Sequence, residues 1–390
     1  MTARLGIGVI GFGWMGQTHA RSYRVLPTRF DTAFTPEVVM VADTDQARLD
    51  HAESRFGVDR VTTDWRRLVS DPAVDVVDIA APTARHREIA EVAASLGKPV
   101  FCEKPVGIDP AATAAIEKAA RKAGVVTGAG FNYRWAPLVQ HTRGLIDTGR
   151  LGDLTHYRGR FFSMYGSDRM GTLSWRYLES EAGYGVLTDL MSHAIDMAHY
   201  LGGPIRRLVA TRNTFVTERP LPRPDTESHY QRGRPEDPTG EVTNEDYIGA
   251  LVEFESGARG TLEADRSMVG PQSQMAFEVN GTKGAASWDH EKLNQLRLYL
   301  ADRKAPSGYK ELLSGDEYPH HGAFVPGGGN SIGFDDLKTI EAYEFLTSVV
   351  DDRRFRPDFG DALAVASVAD TMVRSWDSER WEDVRDLHTP

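Results

Sequence analysis

The feature that most constrains the fold is an alternation of strand and helix patterns in the first third of the chain. Its first strand pattern leads through a glycine turn directly into a helix pattern. Apolar, β-branched runs that predict strands occur at five places, namely residues 5–10, 37–43, 74–80, 99–102 and 125–135. Helical patterns separate these runs, and strands connected through helices pair in parallel. We therefore predict a doubly wound parallel sheet of five strands, in the α/β class.

The turn GFGWMG at 11–16 and an acidic residue at the end of the next strand are typical of dinucleotide binding in a Rossmann sheet. Gly11 would make the tight turn, Gly13 would let the backbone approach a pyrophosphate, and Gly16 would let the helix pack on the strand. Asp43 would accept hydrogen bonds from the ribose hydroxyls. A 2′-phosphate would meet this carboxylate, and Thr44 offers no positive charge, so we predict NAD rather than NADP. The alternative is a plain turn and a loop acid.

Polar segments stand at the carboxyl ends of three further predicted strands, where ligands of such sheets bind. These segments are Ala81-Pro82-Thr83, Glu103-Lys104-Pro105 and Asn132-Tyr133-Arg134. Because the carboxyl ends of parallel strands meet at one edge of the sheet, we expect the three segments to border the same ligand.

A second polar group lies at 183–196, GYGVLTDLMSHAID, outside the predicted parallel sheet. Asp189 and His193 are four positions apart, which places both side chains on one face of a helix. A metal site, a proton-transfer pair and an ion pair on a solvated helix face all fit this spacing. A structural metal needs three or four ligands of defined geometry, and the single Cys102 lies in the other domain. We therefore predict no metal site. Asp196, three residues further on, either supports the site residues from behind or is a surface acid, and we favour the surface acid.

Taken together, these motifs resemble the glucose–fructose oxidoreductase, inositol dehydrogenase and rhizopine-catabolism (Gfo/Idh/MocA) family of NAD(P)-dependent oxidoreductases. The likeness covers nearly the whole chain, and its motifs occur in the family's order: Gly11–Gly16, Ala-Pro-Thr at 81–83 with His86, Glu103-Lys104-Pro105, GFNYRW at 130–135, SWR at 174–176 and Asp189 with His193. The sequence AAPT at 80–83 departs from the Thr-Pro-Asn of many members. The resemblance implies that Lys104, Asp189 and His193 form a catalytic trio and that the Lys104–Pro105 bond is cis.

The motifs and the resemblance together predict two sets of ligand-binding residues. The cofactor set is Gly11, Phe12, Gly13, Trp14, Met15, Gly16, Asp43, Ala81, Pro82, Thr83, His86, Glu103, Lys104, Asn132, Arg134, Trp175 and Arg176. The substrate set is Lys104, Asn132, Tyr133, Trp175, Asp189 and His193. For His86, as for His19, a position on the surface of a helix is the interpretation that we favour over a contact with the cofactor.

The catalytic trio suits the oxidation of a secondary alcohol, which loses a proton from oxygen and a hydride from carbon. His193 would take the proton, because the ordinary pKa of histidine is about 6.5. Asp189 would orient the ring or contact a substrate hydroxyl, and Lys104 would stabilise the developing alkoxide. We predict an unphosphorylated sugar or cyclitol ring as substrate, similar to levoglucosan, a glucoside or an inositol. The alternatives are a redox-neutral NAD-dependent glycoside hydrolase and a non-catalytic dinucleotide-binding regulator.

The alternation of strands and helices stops after Trp135, and the hairpin signals Ser256-Gly257 and Asn280-Gly281 then predict a large open antiparallel sheet in an α+β domain. We predict an NAD-binding domain at 1–133 and a substrate-binding and oligomerisation domain at 134–390. The resemblance places two amphipathic helices, 334–350 and 359–376, in the second domain. Five prolines at 217–243 predict a long loop.

Composition and charge limit the possible partners and locations. A net charge of −11 argues against nucleic-acid binding, and no window holds the roughly 18 apolar residues that a membrane span requires. The single cysteine fits a reducing compartment, and the N-terminal run lacks the features of a signal peptide. We therefore expect a cytoplasmic protein. Because relatives use a sheet of this kind for subunit contacts, we expect a homodimer or homotetramer.

Overall fold

The apolar runs of the first third form parallel strands in the computed structural model, which describes residues 3–223, 231–301 and 307–385. The strands are β1 Ala3–Ile10, β2 Phe34–Ala42, β3 Val61–Thr62, β4 Val76–Ile79, β5 Val100–Cys102 and β6 Thr127–Ala129. They pair in the order β3-β2-β1-β4-β5-β6, and every pair is parallel. This order confirms the doubly wound sheet. The described residues contain one strand more than the five predicted, because the two residues of β3 are too few to leave a pattern.

Ten α-helices lie in the described part of the chain. They are α1 Trp14–Val25, α2 Gln46–Phe56, α3 Trp65–Val69, α4 His86–Ser95, α5 Pro110–Ala123, α6 Pro137–Asp147, α7 Glu179–Ala182, α8 Ser192–Gly202, α9 Phe334–Val350 and α10 Phe359–Ser378. A π-helical turn, Leu187–Met191, leads directly into α8. Local chemistry explains why α5 begins where it does, since Pro110 occupies the first turn and the Asp109 carboxylate accepts a hydrogen bond from the Ala112 amide at 2.6 Å.

The second half of the chain forms a large, mainly antiparallel sheet. Its strands and those of a small ribbon are β7 Leu154–Phe162, β8 Ile205–Asn213, β9 Glu218–Pro220, β10 Thr239–Glu241, β11 Tyr247–Phe254, β12 Arg259–Asp265, β13 Gln274–Gly281, β14 Gly284–Asp289, β15 Gln295–Leu300, β16 Lys310–Leu313 and β17 Glu382–Asp383. The described sheet has nine strands, ordered β16-β15-β14-β13-β7-β12-β11-β8-β17, and only β7 and β12 pair in parallel. Ser256-Gly257 lies in the turn between the paired strands β11 and β12. Asn280-Gly281 instead ends β13, and residues 282–283 make the turn to β14.

The segment 217–243, predicted to be a long loop, contains the two paired strands β9 and β10. The Arg219 side chain is fully buried, and its guanidinium donates a hydrogen bond to the carbonyl oxygen of Asp168 at 2.8 Å. The same guanidinium lies over the ring of Tyr177. These contacts tie the segment to the chain that follows β7. Residues 224–230 of the predicted loop lie outside the described residues.

Contacts within the chain divide it differently from the predicted domains 1–133 and 134–390. Unit 1 contains Met1–Ala136 and Gly315–Ala364, and unit 2 contains Pro137–Ser314 and Val365–Thr389. Helix α9, assigned to the second domain by the resemblance, therefore groups with the parallel sheet. It packs on α1, and its Lys338 ammonium lies 2.5 Å from the Glu103 carboxylate.

Helix α9 also departs from the predicted amphipathic pattern. All six residues from Leu337 to Ala342 are buried, so its buried surface is not confined to one face. Two of these residues, Lys338 and Glu341, are charged types that a sequence pattern assigns to the solvent side. Both are buried in contact with charged groups, since the Lys338 ammonium lies between the carboxylates of Glu103 and Glu341.

None of the helices in the described residues is both long enough and apolar enough to cross a membrane.

Candidate functional site

The carboxyl edge of the parallel sheet gathers the predicted cofactor segments of unit 1. Hydrogen bonds between chain segments continue just beyond the strand ends: the Gly11 amide donates to the Ala42 carbonyl at 2.8 Å, and the Ala80 amide donates to the Ile10 carbonyl at 2.8 Å. The Glu103 amide likewise donates to Ile79 at 2.9 Å. The glycine turn, Asp43, the 81–83 loop and the Glu103–Pro105 turn thus all follow strands that end at this edge.

The glycine turn has the shape that a pyrophosphate requires. Gly11 has φ of +89°, and a Cβ there would lie 2.6 Å from the main chain of Ala80 and Ala81. A Cβ on Gly16 would lie 1.9 Å from the Gly11 oxygen, so α1 approaches the turn closely only because both positions are glycine. Gly13 occupies the N-cap position before α1 and has no side chain to cap the helix, so the amides of the first turn remain suited to binding phosphate oxygens. The residues present therefore fit a dinucleotide.

The carboxylate of Asp43, at the end of β2, is fixed against the glycine turn. Its Oδ2 accepts a hydrogen bond from the Phe12 amide at 2.6 Å, and its Oδ1 accepts one from the Asp45 amide at 2.9 Å. Each oxygen retains a second lone pair with which it can accept a hydrogen bond from a ribose hydroxyl. Arg48 contributes a contact that no sequence motif indicated, since its Nη1 lies 3.5 Å from Oδ2. A cation therefore stands beside this carboxylate although Thr44 offers none.

His86 joins two of the loops at the sheet edge. Its Nε2 lies 2.7 Å from the Ala81 oxygen and its Nδ1 lies 3.1 Å from the Pro105 oxygen. The side chain is buried, so the expected surface position is wrong, and burial lowers the pKa of its ring. The Lys104–Pro105 peptide bond is cis, as the resemblance implied.

The segment Asn132–Trp135 forms a buried helical turn directly after β6. Asn132, Tyr133 and Arg134 are all buried, and Trp135 stacks on Phe355 at a ring distance of 5.7 Å. The Nδ2 of Asn132 has no hydrogen-bond partner among the described residues. A buried amide donor that lacks a partner is suited to a polar group of a ligand.

In unit 2, Asp189 lies in the π-helical turn and His193 lies in the first turn of α8. The Tyr165 hydroxyl donates a hydrogen bond to Asp189 Oδ2 at 3.0 Å, and an Arg176 nitrogen lies 3.5 Å from the same oxygen. The His193 ring is buried and packs against Phe161 at 5.7 Å. His193 and Asp196 are buried and the Asp189 side chain is 26% exposed, so a fully solvated helix face does not describe this stretch.

The start of this helix is held by a residue that the sequence argument missed. The Glu245 side chain accepts a hydrogen bond from the Leu187 amide at 2.9 Å. A Cβ on Gly185 would lie 2.2 Å from the Glu245 carbonyl oxygen, so the glycine permits this approach. Asp196 is also buried, which corrects its expected place on the surface. No spacing rule identifies Tyr165 or Glu245, because their contacts come from distant segments.

The SWR segment presents an aromatic ring next to a guanidinium. The Trp175 side chain is 49% exposed, and the Arg176 guanidinium lies 4.6 Å from the centre of its ring. Arg176 therefore contacts both Trp175 and Asp189, so three of the predicted site residues of unit 2 lie close together. Trp14, in the glycine turn of unit 1, is also exposed, and it stacks on Phe334.

A buried ionic cluster lies beside the Glu103–Pro105 turn in unit 1. His19, predicted to lie on the surface, is buried between two carboxylates: its Nδ1 lies 3.0 Å from Asp78 and its Nε2 lies 3.0 Å from Glu103. The Lys338 ammonium contacts Glu103 at 2.5 Å and Glu341 at 2.9 Å. All five of these side chains are buried.

The contacts within the cluster shift the pKa values of His19, Glu341 and Glu103. Burial alone lowers the pKa of His19, but the Asp78 charge and the hydrogen bonds to Asp78 and Glu103 outweigh burial and raise it to about 9. Burial raises the pKa of Glu341 to about 7, although Lys338 opposes this shift. For Glu103, burial is outweighed by Lys338 and His19, which hold its pKa well below the ordinary range. His19 is therefore a cation at neutral pH, and Glu103 is an anion.

Metal binding has no support in the described residues, where no group of three or more histidine, cysteine, aspartate or glutamate side chains could hold an ion.

Two family models match the chain. The model described as the oxidoreductase family with an NAD-binding Rossmann fold matches residues 5–131, and the GFO/IDH/MocA C-terminal domain matches residues 139–287. Levoglucosan dehydrogenase of Pseudarthrobacter phenanthrenivorans is 33% identical, over 97% of this chain and 98% of that protein. Myo-inositol 2-dehydrogenase of Thermotoga maritima is 25% identical, over 78% of this chain and 81% of that protein.

A solved structure of levoglucosan dehydrogenase in complex with NADH and levoglucosan has a TM-score of 0.92 at 32% identity, and the match covers 98% of this chain and 100% of that chain. The Rossmann sheet, the glycine cradle and these relatives define an NAD-binding oxidoreductase of the sugar and inositol dehydrogenase type. The chain belongs to the Gfo/Idh/MocA oxidoreductase family, which confirms the resemblance.

The Asp43 geometry yields a prediction about cofactor choice. Asp43→Asn keeps an acceptor for the Phe12 amide and removes the charge that repels a 2′-phosphate, while Arg48 stays in place. Because juxtaposed like charges cost several kcal/mol, we expect the ratio of kcat/KM for NADP to that for NAD to rise by about 10- to 100-fold. Asp45→Asn is the matched control, since Asp45 also faces Arg48 at 3.5 Å and caps α2. An unchanged ratio in Asp43→Asn would remove Asp43 from the ribose site.

The buried histidine yields a prediction about stability. Its pKa is about 9 in the folded chain against 6.5 when unperturbed, so the folded chain binds more protons between these values. The free energy of unfolding therefore falls as the pH rises from 6.5 to 9. We expect His19→Gln to reduce this fall in the free energy of unfolding by at most about 3 kcal/mol. Urea unfolding measured at several pH values between 6.5 and 9 checks this expectation.

His86 provides the contrast for this measurement, because burial shifts its pKa in the opposite direction. A histidine with a lowered pKa contributes stability that is lost only as the pH falls below its unperturbed value of 6.5. We expect His86→Asn to leave the slope above pH 6.5 unchanged. An unchanged slope in His19→Gln would contradict a cationic His19.

Proposed function

We propose that the protein oxidises a secondary hydroxyl on an unphosphorylated sugar or cyclitol ring, with NAD as the hydride acceptor. The choice of an uncharged ring depends on one observation: the Arg176 guanidinium, a possible partner for a substrate phosphate, already contacts other side chains of the protein. This guanidinium pairs with Asp189 at 3.5 Å and lies over Trp175 at 4.6 Å. A phosphorylated substrate calls for a free basic cradle, and Arg134, the other candidate, is buried.

We assign His193 as the group that takes the hydroxyl proton. Its buried position in the first turn of α8 gives the ring a fixed setting, and an imidazole exchanges protons near neutral pH. Asp189, held by Tyr165 and Arg176, orients the ring or accepts a hydrogen bond from a substrate hydroxyl. Bound NAD supplies the hydride acceptor. Lys104 holds the reacting oxygen and stabilises its developing negative charge.

The ring class of the substrate has support from two sources. The exposed face of Trp175 is a flat apolar surface of the kind on which the C–H face of a sugar packs, and carboxylate and amide groups are present at Asp189 and Asn132. The relatives named above are a levoglucosan dehydrogenase and an inositol dehydrogenase, whose substrates are rings without phosphate. A cytoplasmic location and a homodimer or homotetramer stay predictions.

A substrate panel tests the proposed activity. Purified protein with NAD is offered levoglucosan, glucose, inositols, glucosides and sugar phosphates, and NADH formation is followed by its absorbance. We expect turnover with one or more of the unphosphorylated rings. Turnover confined to sugar phosphates or to open-chain hydroxy acids would overturn the proposal.

The same panel separates the two alternative functions. A redox-neutral glycoside hydrolase would cleave a glucoside and release no net NADH, because the cofactor is reduced and then regenerated. A non-catalytic regulator would bind NAD and turn over nothing. Product analysis by chromatography beside the absorbance measurement distinguishes these outcomes from an oxidised ring.

The role of His193 yields a second prediction. We expect His193→Ala to lower kcat by about 10²- to 10⁴-fold, the usual range for a positioned acid–base group, while the Kd for NAD stays near wild type. His156→Ala, at an exposed histidine on β7 of the same unit, is the matched control and should leave kcat unchanged. Retained kcat in His193→Ala would remove His193 from the reaction, and lost NAD binding would assign it a structural role.

A further inference from the structure

The proposed reaction leaves unexplained why Lys338 and Glu341 are buried in unit 1. Both side chains are at most 2% exposed, and a charged group removed from water is costly unless it is paired. An apolar pair of similar volume would fill the same space, and such replacements are often neutral or stabilising. One Glu341 oxygen, Oε1, has no hydrogen-bond partner among the described residues, so the cluster is not even fully satisfied. Stability alone does not account for it.

What the cluster contacts indicates what it does. Glu103 Oε1 accepts a hydrogen bond from the Lys338 ammonium at 2.5 Å and lies 3.0 Å from Nε2 of His19. Its other oxygen, Oε2, accepts a hydrogen bond from the main-chain amide of Lys104 at 3.2 Å. The carboxylate therefore connects the buried cations on one side to the backbone of Lys104 on the other.

Neighbouring contacts leave the Glu103 carboxylate little room to move. A Cβ on Gly130 would lie 2.7 Å from its carboxyl carbon, so the glycine after β6 forms one wall of its site. On the other side of Lys104, the Pro105 carbonyl contacts the buried His86 ring at 3.1 Å. The turn that carries Lys104 is thus fixed by polar contacts both before and after that residue.

We propose that Lys338 and Glu341 are positioning residues that hold Glu103, and through it the main chain of Lys104, in the geometry needed for the reaction. This inference rests on the proposed function, in which Lys104 contacts the reacting oxygen. Glu341 neutralises part of the charge on Lys338 and fixes its ammonium at 2.9 Å. Loss of Lys338 leaves Glu103 with His19 as its remaining cationic partner, and the turn is then no longer confined from the α9 side.

The test replaces the buried ammonium with an unbranched, uncharged side chain that is one atom shorter. Lys338→Met should lower kcat by about 10- to 100-fold, because small displacements of a reacting group have effects of this size. The Kd for NAD should change by less than about threefold, since the glycine turn and Asp43 lie outside the cluster. NAD binding is measured by fluorescence titration, and kcat with the best substrate of the panel, for which levoglucosan is the first probe.

A matched control separates positioning from a general loss of stability. Lys98 lies at the amino end of β5, at the opposite end of the strand from the Glu103–Pro105 turn, and its ammonium donates hydrogen bonds to the carbonyls of Asp71 and Val74 at 2.7 and 2.6 Å. Lys98→Met removes the same group from the same unit. We expect it to lower the midpoint of urea unfolding and to leave kcat near wild type. Equal losses of kcat in both variants would overturn the proposal.

A double-mutant cycle with Lys104 distinguishes this inference from the proposed function. If Lys338 acts through Lys104, Lys338→Met should have little further effect on kcat in a Lys104→Met background, because residues that act as a unit are not additive. Full additivity would contradict a positioning role. Unchanged kcat in Lys104→Met alone would overturn the proposed function, whereas loss of kcat in Lys104→Met with none in Lys338→Met would overturn only this inference.

A second variant keeps the proposal testable if Lys338→Met does not fold. Lys338→Met with Glu341→Leu removes one cation and one carboxylate together, so neither is left buried without a partner. We expect this double variant to be more stable than Lys338→Met and to have a similarly low kcat. The single variant Lys338→Arg should have a higher kcat than Lys338→Met, because it keeps a cationic donor at this position. Wild-type kcat in the double variant would exclude positioning by Lys338.

Discussion

The Glu103 carboxylate is the contact on which the organisation of unit 1 depends. It is buried at the end of β5, and a buried carboxylate stays ionised only where cations are close. Those cations come from α1, through His19, and from α9, through Lys338. Helix α9 follows β16 of the large sheet in the chain, and its contact with Glu103 holds it in unit 1, to which the segment 315–364 belongs. The same carboxylate accepts a hydrogen bond from the Lys104 amide, so the contact that organises the unit also reaches the site.

Unit 2 fixes its own site residues by the same physical means. Arg266 is buried and donates hydrogen bonds to Asp246 at 2.7 Å and to the Arg176 carbonyl at 3.2 Å. Arg176 in turn holds Asp189, which also accepts a hydrogen bond from Tyr165. In both units a buried, charge-assisted network stands behind a predicted catalytic side chain. Such contacts restrict rotation more strongly than apolar packing does, because they are directional.

Local patterns predict the parts of this structure that local chemistry determines. The glycine turn and the acid at the end of β2 were predictable, because each belongs to a local motif of the sequence. His19, His86 and Asp196 were assigned to the surface because a polar residue in a helix pattern is usually solvated. Their partners lie far away in the sequence: Lys338 contacts Glu103 across 235 positions. No periodicity carries information over such a distance, so the placement of α9 and the roles of Tyr165 and Glu245 required coordinates.

The buried networks also limit the movement of the segments that carry the side chains to which we assign the reaction. A reacting lysine or histidine on a mobile loop would spend most of its time out of line with the substrate, and each lost ångström of alignment slows the reaction. Here the turn at Glu103–Pro105 is held by Lys338, through Glu103, and by His86, through Pro105. The helix that carries His193 is held at its start by Glu245. Each anchor is itself buried, and its burial stabilises one arrangement over the alternatives because any other would leave a charge or a hydrogen-bonding group unpaired.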